Sequence, residues 1–245
     1  MKPVLPDPWS ALKAHTPARI ALGRSGASLP TKEVLGFGLA HARARDAVHD
    51  ALDVERLMND LRSLGYSPTS VRSAASDRST YLTRPDLGRK LADKILKGNA
   101  ELVVAIEDGL SAVAVQTHAV PLLAELQKLN ERWKTVPIVI ATQGRVALGD
   151  EIGQRFSAKL IVVLIGERPG LTSPDSLGIY LTYEPKVGRT DAERNCISNV
   201  RPQGLGYAEA VRRLDWLASA ALARGLTGIA LKDESSPVIA LRVPR

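Results

Sequence analysis

The sequence predicts an α/β protein in which a small helical N-terminal domain, residues 1–98, precedes a three-layer domain with a parallel sheet, residues 99–245. Two observations lead to this prediction. Apolar residues recur every three or four positions through much of the first hundred residues, which is the period of a helix face. After residue 97, short apolar runs rich in β-branched residues alternate with helical patterns, which indicates parallel strands buried on both faces.

The N-terminal segment reads as a series of helices. The first is predicted to begin at Asp7 and Pro8, an N-cap followed by proline at the first helical position. Gly65 ends another helix, as a glycine beyond a C-cap does, and a polar stretch follows it. The remaining predicted helices cover 31–52, 54–64 and a segment that begins near Pro85 and carries Leu87, Leu91 and Ile95 on one face.

The C-terminal segment alternates strands and helices. Pro121 falls inside the longest helical pattern and must break or kink it. The predicted strands cover 102–106, 136–141, 160–165, 179–183 and 227–231, and the predicted helices cover 111–133, 148–156 and 208–224. A capping box at 190–193 predicts a short additional helix that presents Cys196.

Composition and charge exclude several classes of protein. Lys and Arg number 33 against 26 for Asp and Glu, but the basic residues are scattered and aromatic residues make up only 4%, so we expect no nucleic-acid partner. The single cysteine rules out an internal disulfide. The longest apolar run, 160–165, is far below the roughly 20 residues that span a bilayer, so we expect no membrane association and a cytoplasmic location.

The carboxyl ends of the predicted strands are where ligands bind in an open parallel sheet. Four segments lie there, and each of them contains glycine, which allows a ligand to approach the backbone closely. They cover 107–111, 143–146, 166–170 and 185–199. Position alone therefore predicts that the loop around Glu167 and Arg168 binds a ligand.

Sequence motifs leave other chemistry open or exclude it. A dinucleotide fingerprint and a Walker-type loop are absent, and no histidine pairs with another ligand at metal-binding spacing, so neither a metal site nor a catalytic residue is predicted. Ser111 could face a ligand at a helix N-terminus or simply cap that helix. Cys196 could be a nucleophile, but no histidine is near in sequence, which favours a small packing residue.

Seven short segments, in this order, match a known family. The chain resembles the small subunit (light chain) of ethanolamine ammonia-lyase from about Asp7 to about Lys232. The segments are 18–24 (ARIALGR), 40–46 (AHARARD), 81–89 (YLTRPDLGR), 108–111 (DGLS), 166–170 (GERPG), 176–180 (SLGIY) and 196–199 (CISN).

The resemblance implies a cofactor, a fold and a partner. Members contribute to an adenosylcobalamin site at the interface with a large subunit, which binds ethanolamine, and the complex converts ethanolamine to acetaldehyde and ammonia by a radical route. The C-terminal domain would be Rossmann-like. The family segments that contact cobalamin match this sequence around three residues, so the resemblance implies that Val146, Glu167 and Cys196 bind the cofactor. The chain would be active only in the complex, and a bacterial microcompartment is the alternative location.

Two other functions compete with this interpretation. A stand-alone enzyme would use Glu167 and Cys196 at the strand ends and would turn over its substrate without a partner. A polyanion-binding protein would show salt-dependent binding to nucleic acid. The candidate loops lack histidine and paired carboxylates, which disfavours the first of these.

Overall fold

A computed structural model describes residues 8–92 and 96–235. The N-cap predicted at Asp7 lies outside the described residues. The helices are α1 (Thr31–His49), α2 (Val54–Ser63), α3 (Arg78–Thr83), α4 (Ala112–Leu129), α5 (Leu148–Arg155) and α6 (Tyr207–Arg224). Short 3₁₀ helices cover Pro8–His15, Leu87–Arg89, Glu131–Lys134, Asp191–Glu193 and Gly228–Ala230.

A six-stranded sheet forms the centre of the chain, which confirms the α/β class. The strands are β1 (Thr69–Arg72), β2 (Leu102–Glu107), β3 (Ile138–Thr142), β4 (Leu160–Gly166), β5 (Leu177–Tyr183) and β6 (Arg194–Val200). Their spatial order is β1-β3-β2-β4-β5-β6. The first four strands pair in parallel, so β1, β2, β3 and β4 all end at the same edge.

The prediction of a parallel sheet is wrong for the two strand pairings at one end of the sheet. β5 runs antiparallel to β4, and β6 antiparallel to β5. The loop 167–176 between β4 and β5 holds no helix, and a parallel return needs a crossover of a dozen or more residues. The short connection therefore turns the chain back as a hairpin.

Helices cover both faces of the sheet and make three layers. On one face, α2, α4 and α6 bury their apolar sides against β2, β4 and β5. On the other face, α5 packs Leu148 and Ile152 against Val103, Val139 and Val163. The strands β2 and β4 are buried along their whole length, which explains why they read as continuous apolar runs.

Part of the segment predicted as helical joins the sheet. β1 falls within the polar stretch 67–78 and pairs with β3 at the edge, where most of its residues are exposed. The helix predicted near Pro85 is wrong, because only the 3₁₀ helix Leu87–Arg89 forms and Leu91 makes a single bridge with Ser73. Ile95 lies outside the described residues. The domain boundary after residue 98 stays a prediction.

Two predictions near the C-terminus are also wrong. The capping box at Thr190 and Glu193 opens the predicted short helix, the 3₁₀ helix Asp191–Glu193, but Cys196 does not lie on it and belongs to β6. The strand predicted over 227–231 is the 3₁₀ helix Gly228–Ala230. The Asn195 side chain binds the backbone N–H of Gly228 and the carbonyl of Leu231, so that segment does not extend the sheet.

Candidate functional site

A cavity of about 410 Å³ lies where β2 and β4 end. It brings together segments that were predicted one by one from their positions at the carboxyl ends of strands. Its walls are Tyr81, Gly109, Leu110, Arg145, Val146, Ile165, Gly166, Glu167, Arg168 and Tyr180. Val146 and Glu167 thus share one cavity. Cys196 is not among the residues that line it and lies on β6, opposite Tyr180 of β5.

The Glu167 carboxylate is held by donors from β6 and from the loop before β5. Ser198 Oγ donates to one oxygen at 2.5 Å, and Ser176 Oγ and the Asn199 N–H, at 3.1 Å, donate to the other. A carboxylate has about four acceptor positions, of which these bonds use three. Glu167 is therefore a fixed acceptor with room for about one further donor from a ligand.

The Cys196 thiol is a poor nucleophile in this environment. Tyr180 lies directly opposite Cys196 in the sheet, and its hydroxyl donates to the sulfur. Burial of the sulfur raises the pKa of Cys196, the Glu167 carboxylate adds to this, and the bond from Tyr180 opposes it. Because the thiolate is the reactive form, the raised pKa disfavours the nucleophilic role of Cys196, although its side chain is exposed on β6.

The loop that carries Val146 is fixed by a buried carboxylate. Asp108 accepts hydrogen bonds from the backbone N–H of Gln143 at 2.9 Å and of Gly144 at 3.0 Å. Gln143 has a φ of +57°, a strained conformation that such bonds maintain. Burial raises the pKa of Asp108, while these bonds and the Arg78 guanidinium oppose the shift.

The loops after β2 and β4 are in direct contact, and glycine makes that possible. A Cβ on Gly109 would come within 2.2 Å of the Gly166 carbonyl oxygen, and one on Gly166 within 2.0 Å of the Ser111 carbonyl oxygen. The Ser111 hydroxyl accepts from the Ala114 N–H at 3.2 Å and donates to the Pro174 carbonyl at 2.7 Å. Ser111 is thus the cap of α4, and the ligand-facing alternative is disfavoured.

Tyr81 lines the cavity but could not be predicted from strand ends, because it lies on α3 and not in a loop after a strand. Tyr81, on α3, is buried and contacts the guanidinium groups of Arg78 and Arg145, which lie 4.6 and 4.4 Å from its ring centre. Arg78 also donates to the carbonyl oxygens of Val48 and Gly109. The only sequence signal for Tyr81 is that it begins the segment 81–89, one of the seven that carry the family resemblance.

Glu107, the last residue of β2, is fully buried, and neither carboxyl oxygen has a hydrogen-bond partner within residues 8–92 and 96–235. A Cβ on Gly144 would lie 2.7 Å from its Oε2, so the loop packs directly on this carboxyl. Burial raises the pKa of Glu107 well above its ordinary value, Asp108 and Asp150 add to this, and Arg194 opposes it.

We expect Glu107→Gln to flatten the dependence of stability on pH. A carboxyl whose folded-state pKa is raised binds its proton more tightly when folded, so stability falls as pH rises from its ordinary pKa through the folded-state value. Melting temperatures of both proteins between about pH 5 and pH 9 test this. The gain of the variant over the parent should grow with pH. Parallel curves, like those expected for the exposed Glu101→Gln control, would contradict it.

Comparisons with known proteins give the family. A profile described as the ethanolamine ammonia-lyase light chain matches residues 6–232. A protein called ethanolamine ammonia-lyase small subunit from Xanthomonas campestris pv. campestris is 53% identical over 241 residues, covering 94% of this chain and 89% of that protein. Proteins of the same name from Pseudomonas putida and Azotobacter vinelandii are each 52% identical over 245 residues, covering 95% of this chain and 90% and 91% of their own lengths.

The chain belongs to the ethanolamine ammonia-lyase light chain family. This confirms the resemblance drawn from the seven short segments. The candidate site of this chain is built from loops of its sheet together with α3. Within the part of the chain that the structure describes, no cluster of His, Cys, Asp and Glu could hold a metal ion. No described helix is long and apolar enough to cross a membrane.

Proposed function

We propose that the chain is the small subunit of an adenosylcobalamin-dependent ethanolamine ammonia-lyase and contributes to the cobalamin site at the interface with the large subunit. The observation that carries this proposal is the shared cavity of Val146 and Glu167 in a chain of this family. The relatives are named small subunits, which implies a large-subunit partner. Ethanolamine would bind mainly to the large subunit, and the chain would be active only in that complex.

The residues around the cavity fit a corrin. Val146, Leu110 and Ile165 offer aliphatic surface to the apolar face of the ring, and Glu167 keeps an acceptor position for an amide N–H of its rim. The cavity is open on one side, which leaves the rest of a large ligand for another chain to cover. When bound, adenosylcobalamin supplies a radical through homolysis of its cobalt–carbon bond.

The three carried-over residues then take different parts in binding. Val146 packs against the ligand, and Glu167 accepts a hydrogen bond from it while its other bonds keep the carboxylate in place. Cys196 contributes small volume beside Tyr180, and none of the three transfers a proton or forms a covalent bond. The protein thus binds and encloses, and the cofactor carries the difficult chemistry. A cytoplasmic or microcompartment location stays a prediction.

Helix α1 supports the need for a partner. Of its 19 residues only Ala47 is buried, and its first half exposes Val34, Leu35, Phe37 and Leu39. Contiguous exposed apolar side chains mark an interaction surface, and a helix with so little packing is marginal in water. We infer that the large subunit covers this helix.

The deciding experiment is co-expression with a matching large subunit, followed by an assay of acetaldehyde release from ethanolamine with added adenosylcobalamin. Activity that requires both chains would establish the proposal. Turnover by this chain alone would favour the stand-alone enzyme. A complex that forms but neither binds cobalamin nor releases acetaldehyde would overturn the proposed function.

We expect Glu167→Ala to weaken cobalamin binding to the assembled complex by roughly 10- to 100-fold, since hydrogen bonds to a charged group contribute about 1.5–3 kcal/mol. The variant also leaves Ser176, Ser198 and the Asn199 N–H without their acceptor. Equilibrium dialysis with cyanocobalamin measures the effect. The matched control is Glu184→Ala, an exposed carboxylate outside the cavity. An unchanged affinity for Glu167→Ala would disprove this role.

A further inference from the structure

A second cavity, of about 420 Å³, adjoins the first and is rich in arginine. Arg145 and Val146 line both cavities, so the two share a wall. The lining residues of the second cavity are Arg89, Arg145, Val146, Ala147, Arg189, Thr190, Asp191 and Arg194. The contacts proposed above for the corrin leave these arginines without a role.

Two of the four arginines are neutralised by acidic partners. Asp150 binds Arg194 through two hydrogen bonds of 2.6 and 2.7 Å. Glu193 forms an ion pair with Arg189. These two cations are therefore committed to the protein itself.

The other two arginines carry uncompensated charge. Neither Arg89 nor Arg145 pairs with an acidic side chain within residues 8–92 and 96–235. Asp191, the one acid in the wall, is 99% exposed and approaches Arg194 at 3.4 Å. The cavity thus presents two positive charges that a ligand could meet.

Arg145, one of the two free arginines, is held in place against the segment that carries Arg89 before any ligand binds. The Arg145 N–H donates to the Gly88 carbonyl at 2.9 Å, and a Cβ on Gly88 would come within 2.8 Å of Arg145 Cγ. Arg145 Nη2 donates to the Tyr81 carbonyl at 3.0 Å, which orients the guanidinium. Its Nε is buried without a partner in the described chain. Such prior ordering reduces the entropy lost on binding.

We propose that Arg89 and Arg145 bind a phosphodiester anion. The planar guanidinium presents paired N–H donors that match phosphate oxygens. A phosphodiester carries its charge between two organic groups, which suits a cavity that shares a wall with a neighbouring ligand site. This inference rests on the proposed function. The anion is the phosphodiester in the nucleotide loop of the cobalamin that the first cavity would hold.

Two corrinoids test the assignment, because cobinamide lacks the nucleotide loop that cobalamin has. Equilibrium dialysis of the complex with cyanocobalamin and with dicyanocobinamide gives both affinities without any turnover. We expect Arg89→Gln and Arg145→Gln each to weaken cyanocobalamin binding roughly 10-fold, and to leave dicyanocobinamide binding unchanged. Arg145→Lys, which keeps the charge, should recover part of the loss.

Arg84→Gln is the matched control, since Arg84 lies in the same segment, is exposed and binds Asp86. It should change neither affinity. Equal weakening of both corrinoids by the Arg89 and Arg145 variants would overturn the proposal, because the arginines would then act on the corrin or on a partner carboxylate. The Arg89 and Arg145 variants could instead bind cyanocobalamin as tightly as the parent complex while their melting temperature no longer rises with added inorganic phosphate. That result would overturn the proposal and assign the site to free phosphate. A parent complex that binds neither corrinoid would overturn the proposed function itself.

Discussion

The double variant Leu35→Glu, Phe37→Glu is expected to lose the large subunit during co-purification. Both side chains are largely exposed, 67% and 49%, on a helix with one buried residue. Fully burying a large apolar side chain contributes about 1.5–3 kcal/mol, and a carboxylate placed in an apolar interface costs more because it must be desolvated. Together these effects predict at least a roughly 100-fold weaker complex.

Helix α1 has low intrinsic stability and therefore depends on contacts with a partner. Gly36 and Gly38 each disfavour the helix by about 0.5–1 kcal/mol relative to alanine, and little packing within the chain offsets that cost. Affinity purification through a tag on the large subunit, followed by titration of the purified chains, measures the loss. Leu129→Glu is the matched control, because Leu129 is also 49% exposed but ends α4. Equal retention of both variants would show that α1 is not covered by the partner.

The elements that the sequence predicts well are those whose burial is complete. β2, β3 and β4 are continuous apolar runs, and α4 and α6 carry helical apolar stripes that pack on them. The edge strands β1 and β6 have mixed burial, so no apolar run marks them. An apolar run also has no direction, which is why β5 was predicted to be parallel. The length of the loop 167–176 was the signal for its reversal.

Some residues of the candidate site could be predicted from the sequence and others could not. Val146 and Glu167 could be placed together because parallel strands end at one edge of a sheet. Tyr81 and Arg89 reach that edge from a segment that precedes the first buried strand, through contacts such as Gly88 with Arg145. No periodicity reports a contact across more than fifty residues. Such residues could be found only as family markers or in the structure.

Asp150→Ala is expected to destabilise the chain by about 3–5 kcal/mol, the range measured when one partner of a buried ion pair is removed. Asp150 and Arg194 side chains are 1% and 2% exposed and share two short hydrogen bonds. Burial raises the pKa of Asp150 and Arg194 opposes this shift. Burial alone would lower the pKa of Arg194, but its bonds to Asp150 outweigh that effect and raise it.

The pair has this large effect because it joins α5 to the start of β6, beside the arginine-rich cavity. Without Asp150, Arg194 keeps Thr182 Oγ1 at 3.0 Å and the Arg189 carbonyl at 2.9 Å, which are neutral acceptors for a buried cation. At about 2–4 °C per kcal/mol, the melting temperature should fall by roughly 10 °C. Asp191→Ala is the matched control, since Asp191 contacts the same guanidinium from an exposed position. Equal small shifts for both variants would contradict the prediction, because they would mean that the buried pair contributes no more to stability than the exposed contact of Asp191.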